Sequence, residues 1–492
     1  MPYHAYIFIV EINFRYWGAN VFSGIYDKLN SLLWGVPMLS LFLGVGILFT
    51  VKCRFFQIRR FPHILRKTIL SSEEKQSKSK DGGISQFQAL TTALAATMGT
   101  GNIVAVATAI TLGGAGSIFW MWVSAILGMM TGFAENVLGI YYRKRNKDNT
   151  WSGGPMPYIE KAFKSALPAK LFALFCIGAS FGMGNMSQSN SIAAALTSSL
   201  SIPPIVTGIV IGALLLLVII GGINRIGMVT QMLIPIMSVL YMIGVGIIIF
   251  FNAEKIPSVL ATIIGDAFSL RSVGGGVGGT ILYNGIKYGI RRGVFSNEAG
   301  LGSSVIVHCA TNVREPVTQG MWAIFEVFFD TIIICTLTAL SILLTGVVDC
   351  GAQGSALVIE AFKTCFGGYG VHFISISITF FGFATLVGWS FYGESCTKYL
   401  FGGKGAKQYK YIYVVVAIIG AITSLDFVWG ISDTFNALMA LPNLIAILLL
   451  SSTVVKITRN YNQRYFGGKE GIKPMLSAHT KIQAEQESRP PE

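Results

Sequence analysis

The chain has 492 residues, 52% of them apolar or aromatic and only 12% charged, with 56 glycines. A water-soluble chain carries about 25% charged residues to wet its surface, so a soluble multidomain enzyme, a disordered chain and a disulfide scaffold are excluded. The formal net charge of +14 lies in loops between apolar runs, where it orients a membrane protein rather than forming a nucleic-acid-binding surface.

Residues 1–30 lack a basic start, a compact apolar segment and a small-residue cleavage site, so they do not read as a signal peptide. Their Tyr, Phe and Trp suit an interfacial segment at headgroup level. A spanning helix needs about 20 mainly apolar residues, and eleven candidates follow. The first, roughly 31–51, precedes a basic loop over 52–84. Then come roughly 85–111, 115–142, 171–200, 204–221 and 226–250, an outer loop over 251–273, and spans at about 274–310, 317–346, 370–397, 411–424 and 433–455. The polar tail 456–492 reads as a disordered cytoplasmic end. On this division 29 of the 37 basic residues fall on one side of the membrane and five on the other. That asymmetry predicts an odd number of crossings, with the N-terminus outside and the C-terminus in the cytoplasm.

Two spans are unsuited to face lipid along their whole length. One holds Gly99, Thr100, Gly101 and Asn102 at its middle, and the other holds Phe295, Ser296, Asn297, Glu298, Ala299, Gly300 and Gly302. Such residues are tolerated at membrane depth where protein or a water-filled cavity surrounds the freed backbone. Close packing through small residues would need neither the asparagines nor Glu298. The two runs lie about 195 residues apart, and about 200 residues separate Glu160 and Phe163 from Glu360 and Phe362 in a shared I-E-(x)-A-F-K pattern. Five spans separate the starts of the two units, and an odd number inverts the second. The pattern predicts an all-α polytopic membrane protein built from two inverted five-helix repeats, 85–250 and 274–455, each opening with a discontinuous helix, plus one extra N-terminal helix. Paired discontinuous helices with a site between them are the mark of secondary transporters.

The chemistry of such breaks is specific. Unwinding near Gly99–Asn102 exposes N–H groups at the start of the second half-helix, which favour a carboxylate. The carbonyls just before it, at Ala95, Thr97 and Met98, lose their helical donors and suit a hard cation such as sodium. Free carbonyls around Phe295–Glu298 suit an ammonium group. Together these ends describe a small zwitterionic amino acid. On the ninth span Thr385 and Trp389 share a helix face. Thr385 offers a hydroxyl to the cation beside the carbonyls of Phe381, Gly382 and Ala384, and Trp389 either closes a wall over the substrate or is an ordinary bundle tryptophan. Glu135, Glu326, Asp330 and Glu394 lie in or near apolar spans, where an ionisable side chain is expensive; each is either functional or paired with a neighbour the sequence does not name. Glu298 is either a proton or cation ligand or a structural partner of the broken backbone, and Arg291 and Arg292 either pair with an acid as a gate or cap the half-helix.

Enzyme signatures occur out of context. Gly178–Gly182 matches GxSxG and Gly274, Gly276 and Gly279 match GxGxxG, without the strands those motifs require. Five histidines and seven scattered cysteines give no metal cluster, disulfide framework or cofactor site. Broken helices also line channels, but interruption of both inverted halves favours alternating access.

The runs ALTTALAATMGTGNIVAVATAITLGGAGSIFWMWVSAILGMMTGFAE, WSGGPMPYIE and GIRRGVFSNEAGLGSS resemble the alanine or glycine:cation symporter family of prokaryotes, and the resemblance extends over about 31–455. It implies a fold similar to that of the bacterial leucine transporter, an inner-membrane location, and sodium-coupled uptake of a small amino acid such as alanine or glycine. Carried over by position, Gly99, Thr100, Gly101 and Asn102 would hold the substrate carboxylate, with Phe295, Ser296, Asn297 and Trp389 completing the substrate site. Ala95 and Met98 would give sodium-binding carbonyls, completed by Phe381, Ala384 and Thr385. Related sodium sites often have two adjacent hydroxyls where this chain has Thr385 alone. An exchanger or a proton-coupled transporter on the same fold is the alternative.

Overall fold

The computed structural model describes residues 33–71, 83–145, 151–268, 277–468 and 471–477. The interfacial segment expected over 1–30 and the end of the tail lie outside them. Apart from a two-strand hairpin, β1 Lys144–Arg145 with β2 Trp151–Ser152, and one isolated bridge, the described residues form helices and their connections. A helix satisfies its own backbone polar groups, which is what an apolar surrounding demands.

In chain order the helices are α1 Val36–Lys52, followed by the single turn Phe56–Arg59, then α2 Phe61–Lys67, α3 Gln86–Thr97, α4 Val104–Gly113, α5 Gly116–Tyr142, α6 Pro155–Phe163, α7 Leu167–Leu200, α8 Pro204–Ile219 and α9 Gly222–Phe251. They continue as α10 Ile256–Ala267, α11 Val277–Asn297, α12 Val305–His308, α13 Pro316–Thr345, α14 Ser355–Phe366, α15 Gly368–Ile422, α16 Leu425–Leu449 and α17 Ser451–Phe466. Among the described residues α5, α7, α9, α13, α15 and α16 are long and apolar enough to cross a membrane, and α3 with α4, bent by 55°, makes a seventh. Large apolar side chains such as Ile209, Leu217, Met232, Ile243 and Phe250 point outward from α8 and α9. So much exposed apolar surface marks the lipid-facing side.

Several limits differ from the sequence expectation. The span expected at 433–455 is α16, which starts at Leu425 and ends at Leu449. Ser432 and Asp433 lower the hydropathy there, yet both are buried and bonded within the bundle. Residues 398–410 are helical rather than a loop, because Lys404, Lys407 and Lys410 are good helix formers. The single non-helical residue inside α15 is Gly402, at φ 72°, and the helix beyond it is correspondingly longer than 411–424. The disordered end expected from 456 begins later, since α17 runs to Phe466. Its Val454, Ile457 and Tyr461 are buried. Part of the 251–273 loop is the helix α10.

Two groups of helices face each other. In one, α5 runs along α11 and α13; in the other, α15 runs along α7 and α8 and α16 along α7. Between them α3 touches α9 and α15. Gly388 of α15 makes this approach possible, since a Cβ there would lie 2.9 Å from the backbone nitrogen of Ala96.

Candidate functional site

Ser85 starts α3 with a reciprocal capping box to Gln88. The helix fails at its other end. Met98 N–H still reaches the Leu94 carbonyl at 2.7 Å, but Gly99 N–H turns back to Thr97 at 2.9 Å, so the Ala95 carbonyl has lost its helical donor. Thr385 of α15 takes that place, its hydroxyl 2.8 Å from the Ala95 carbonyl and 3.2 Å from that of Phe381. Met98 and Ala384 are buried in the same apolar cluster as Ala95 and Phe381. Gly99 has no room for a side chain, because a Cβ would collide with the Thr385 hydroxyl and approach the Gln188 carboxamide.

A 3-10 turn over Thr100–Asn102 leads into α4. The backbone N–H and the hydroxyl of Thr100 both donate to Gln188 Oε1 at 3.0 Å. Gln188 Nε2 in turn donates to the Met183 carbonyl at 2.8 Å, a group within the π-helical turn Gly182–Met186 of α7. Single π turns inside α-helices are frequent at functional sites.

Asn102 points the other way, its Nδ2 2.7 Å from Asp330 Oδ1. Asp330 belongs to a second π-helical stretch, Phe328–Cys335 in α13. Its Oδ2 accepts from the hydroxyls of Ser296 and Thr331, each at 2.8 Å, and Asn297 Nδ2 donates to Thr331 Oγ1 at 3.1 Å. One buried carboxylate therefore ties the first polar run to the second.

At the second run α11 ends where Glu298 adopts φ +56°, a conformation uncommon outside glycine, and Gly300 and Gly302 follow at φ +94° and +77°. Glu298 N–H closes on the Val294 carbonyl, whereas Ala299 N–H goes to Asn297 Oδ1, away from the Phe295 carbonyl it would meet in a continuing helix. The Glu298 carboxylate accepts from the Ser303 hydroxyl and from Trp389 Nε1, the latter at 2.7 Å. Trp389, expected over the substrate, is held at this second break with its ring against Gly184. One face of α15 thus serves both breaks, Thr385 the first and Trp389 the second.

Gly101 faces Phe295 and Ser296 closely, a Cβ there lying 3.5 Å from the Phe295 ring. Beyond Phe295 the ring of Trp429 follows at 4.8 Å and the Arg292 guanidinium lies 4.3 Å from the Trp429 centroid. Arg291 and Arg292 both pair with Asp433 of α16, Arg292 at 3.4 Å. The acid that the arginines call for is therefore on the last long helix. The remaining acids also have partners: Glu135 with Asn443, Glu326 with His308 at 2.9 Å, and Glu394 with Lys410 at 3.0 Å. Gln188 and Asp433 are the contributors the sequence reading did not name. The polar run Ser187–Ser191 inside an apolar span was the signal for the first. The described residues hold no cluster of three His, Cys, Asp or Glu that could bind a metal.

The fold resembles that of a solved sodium-coupled sialic acid symporter, with a TM-score of 0.50 over 92% of this chain and 96% of that one at 14% identity. In sequence, the sodium/alanine symporter AgcS of Methanococcus maripaludis is 41% identical over 90% of this chain and 98% of its own length. The probable sodium/glutamine symporter GlnT of Bacillus subtilis is 35% identical over 92% and 94%. The profile of the sodium:alanine symporter family matches residues 19–476, and with relatives this similar over nearly their full length the chain is a multi-pass membrane transport protein belonging to that family.

Proposed function

We propose that the chain carries a small neutral amino acid such as alanine or glycine into the cell together with sodium, by alternating access. The observation that carries this reading is the meeting of the Thr385 hydroxyl with the carbonyls of Ala95 and Phe381 at the first break. Three hard oxygens converge there without a carboxylate, a donor set suited to a weakly held monovalent cation. One turn further, the N–H groups of Gly101 and Asn102 lie at the start of a half-helix and favour a carboxylate. The Phe295–Asn297 end lies against Gly101, so the space between the charged ends suits a substrate with little side chain.

In this reading α1, α8, the bent pair α3 and α4, α11 with α12, and the two parts of α15 on either side of Gly402 all cross the membrane. With α5, α7, α9, α13 and α16 they give eleven spans, arranged as one extra helix and two inverted repeats of five. Basic residues place α17 in the cytoplasm and α10 outside. The Phe295, Trp429, Arg292 and Asp433 layer then lies on the outer side of the site and Glu298 with Trp389 on the inner side. Opening outward separates α11 from α16, and opening inward releases α15 from the second break.

The test is alanine uptake into proteoliposomes under an inward sodium gradient, compared with equal potassium and proton gradients. Concentrative uptake with sodium alone is the expected result. Uptake that follows internal amino acid and ignores cations identifies an exchanger, and uptake driven by protons alone identifies a proton-coupled carrier.

A further inference from the structure

Asp330 is the buried acid that joins the two polar runs. Asp433 has two arginines and Glu326 has His308, whereas among the described residues Asp330, like Glu135 and Glu298, has neutral partners, here Asn102, Ser296 and Thr331. A buried ionised carboxylate without a cation is costly, and a single partner of opposite charge removes most of that cost. Beside it lies a second unsatisfied acceptor: Asn102 Oδ1 is buried and has no hydrogen-bond partner. Amide geometry keeps this oxygen adjacent to the Nδ2 that touches Asp330, so it borders the same cluster.

We propose that Asp330 is the counter-ion of the substrate's ammonium group and restricts transport to zwitterions with a free α-amine. The assignment rests on the amino-acid symport reading above and adds the residue that enforces it. An ammonium group has three N–H donors and no acceptor. Two acceptors adjoin here, Asp330 Oδ1 and the unpartnered Asn102 Oδ1. Ser296 and Thr331 hold Oδ2, fixing the carboxylate so that Oδ1 faces the first break.

The experiment measures equilibrium binding of radiolabelled alanine to the purified full-length protein in sodium, with lactate as competitor. Lactate has the carboxylate and size of alanine but a hydroxyl in place of the amine. On the wild-type protein lactate should compete at least about 100-fold more weakly than alanine. Asp330→Asn should lose about 100-fold in alanine affinity and keep the sodium-induced shift in melting temperature. Lactate competing as well as alanine overturns the assignment and needs no variant. Alanine binding to D330N within threefold of the wild type also overturns it. So does a D330N protein that binds alanine only with a raised sodium requirement, since Asp330 then holds the coupling ion. A wild-type protein that binds no small amino acid at all refutes the symport reading itself, which separates the two failures.

Discussion

At the residue scale the site depends on which groups the broken backbone leaves over. Thr385 and Asn102 lie on either side of the first break, Thr385 beside the freed Ala95 carbonyl and Asn102 on Asp330. Both Thr385→Ala and Asn102→Ala should abolish concentrative uptake, with different signatures. The threonine variant removes a proposed cation ligand, so the sodium concentration for half-maximal alanine binding should rise about 10- to 100-fold. The asparagine variant should weaken alanine binding at every sodium concentration. Normal accumulation by both variants would mean the site lies elsewhere. Thr385 and its carbonyl partners were legible in the sequence because a helix break states locally which carbonyls it frees. Asp330, Gln188 and Asp433 were not legible as partners, since each bonds across more than 80 residues and hydropathy records only that a polar residue sits in an apolar run. Trp389 shows the limit of helix-face reasoning. It shares a face with Thr385 as expected, yet one turn displaces it to Glu298.

At the scale of elements, the length of apolar runs located the long helices, while their ends shifted wherever buried polar residues resembled loop. The amphipathic elements were the least legible. The helix α17 docks on α2 through His63, whose Nε2 lies 2.8 Å from Tyr461 Oη with the Tyr465 and Phe466 rings around it. Arg60 stacks 3.7 Å from the Phe466 centroid, and Arg464 pairs with Glu315 at the start of α13. Burial first, then the charges of Lys67, Arg60 and Arg66, hold His63 below its ordinary value of 6.5. Above that value the ring is neutral whether docked or free, and docking is at full strength. As pH falls below it, the free ring takes a proton that the docked ring resists, so docking weakens. Pulsed EPR distances between spin labels at the exposed Arg66 and Arg459 should therefore broaden between about pH 7.5 and 5.5, and His63→Gln should remove the dependence. An unchanged distribution in the parent protein would refute the coupling.

For the whole molecule, the proposed coupling fixes how far uptake can proceed. One charge crossing 100 mV releases about 2.3 kcal/mol and a tenfold sodium gradient adds about 1.4 kcal/mol. One sodium per neutral amino acid thus supports roughly 500-fold accumulation. Proteoliposomes clamped at that potential and gradient should level off near this ratio, and a plateau far above it would require a second coupled ion. The interval between the two polar runs was legible in the sequence, whereas the contacts that join them, such as Asn102 with Asp330, had no local signature. Another long-range contact has a consequence in time. Trp34, just before α1, donates its indole N–H to the Asp433 carbonyl and lies beneath Arg291. The partners are 399 residues apart, and at a synthesis rate of about 5–20 residues per second the tryptophan waits roughly 20–80 s for its acceptor. The earliest described helix to leave the ribosome can settle on α5, where Gly46 meets Leu127, but its anchor to α16 is among the last bonds to form.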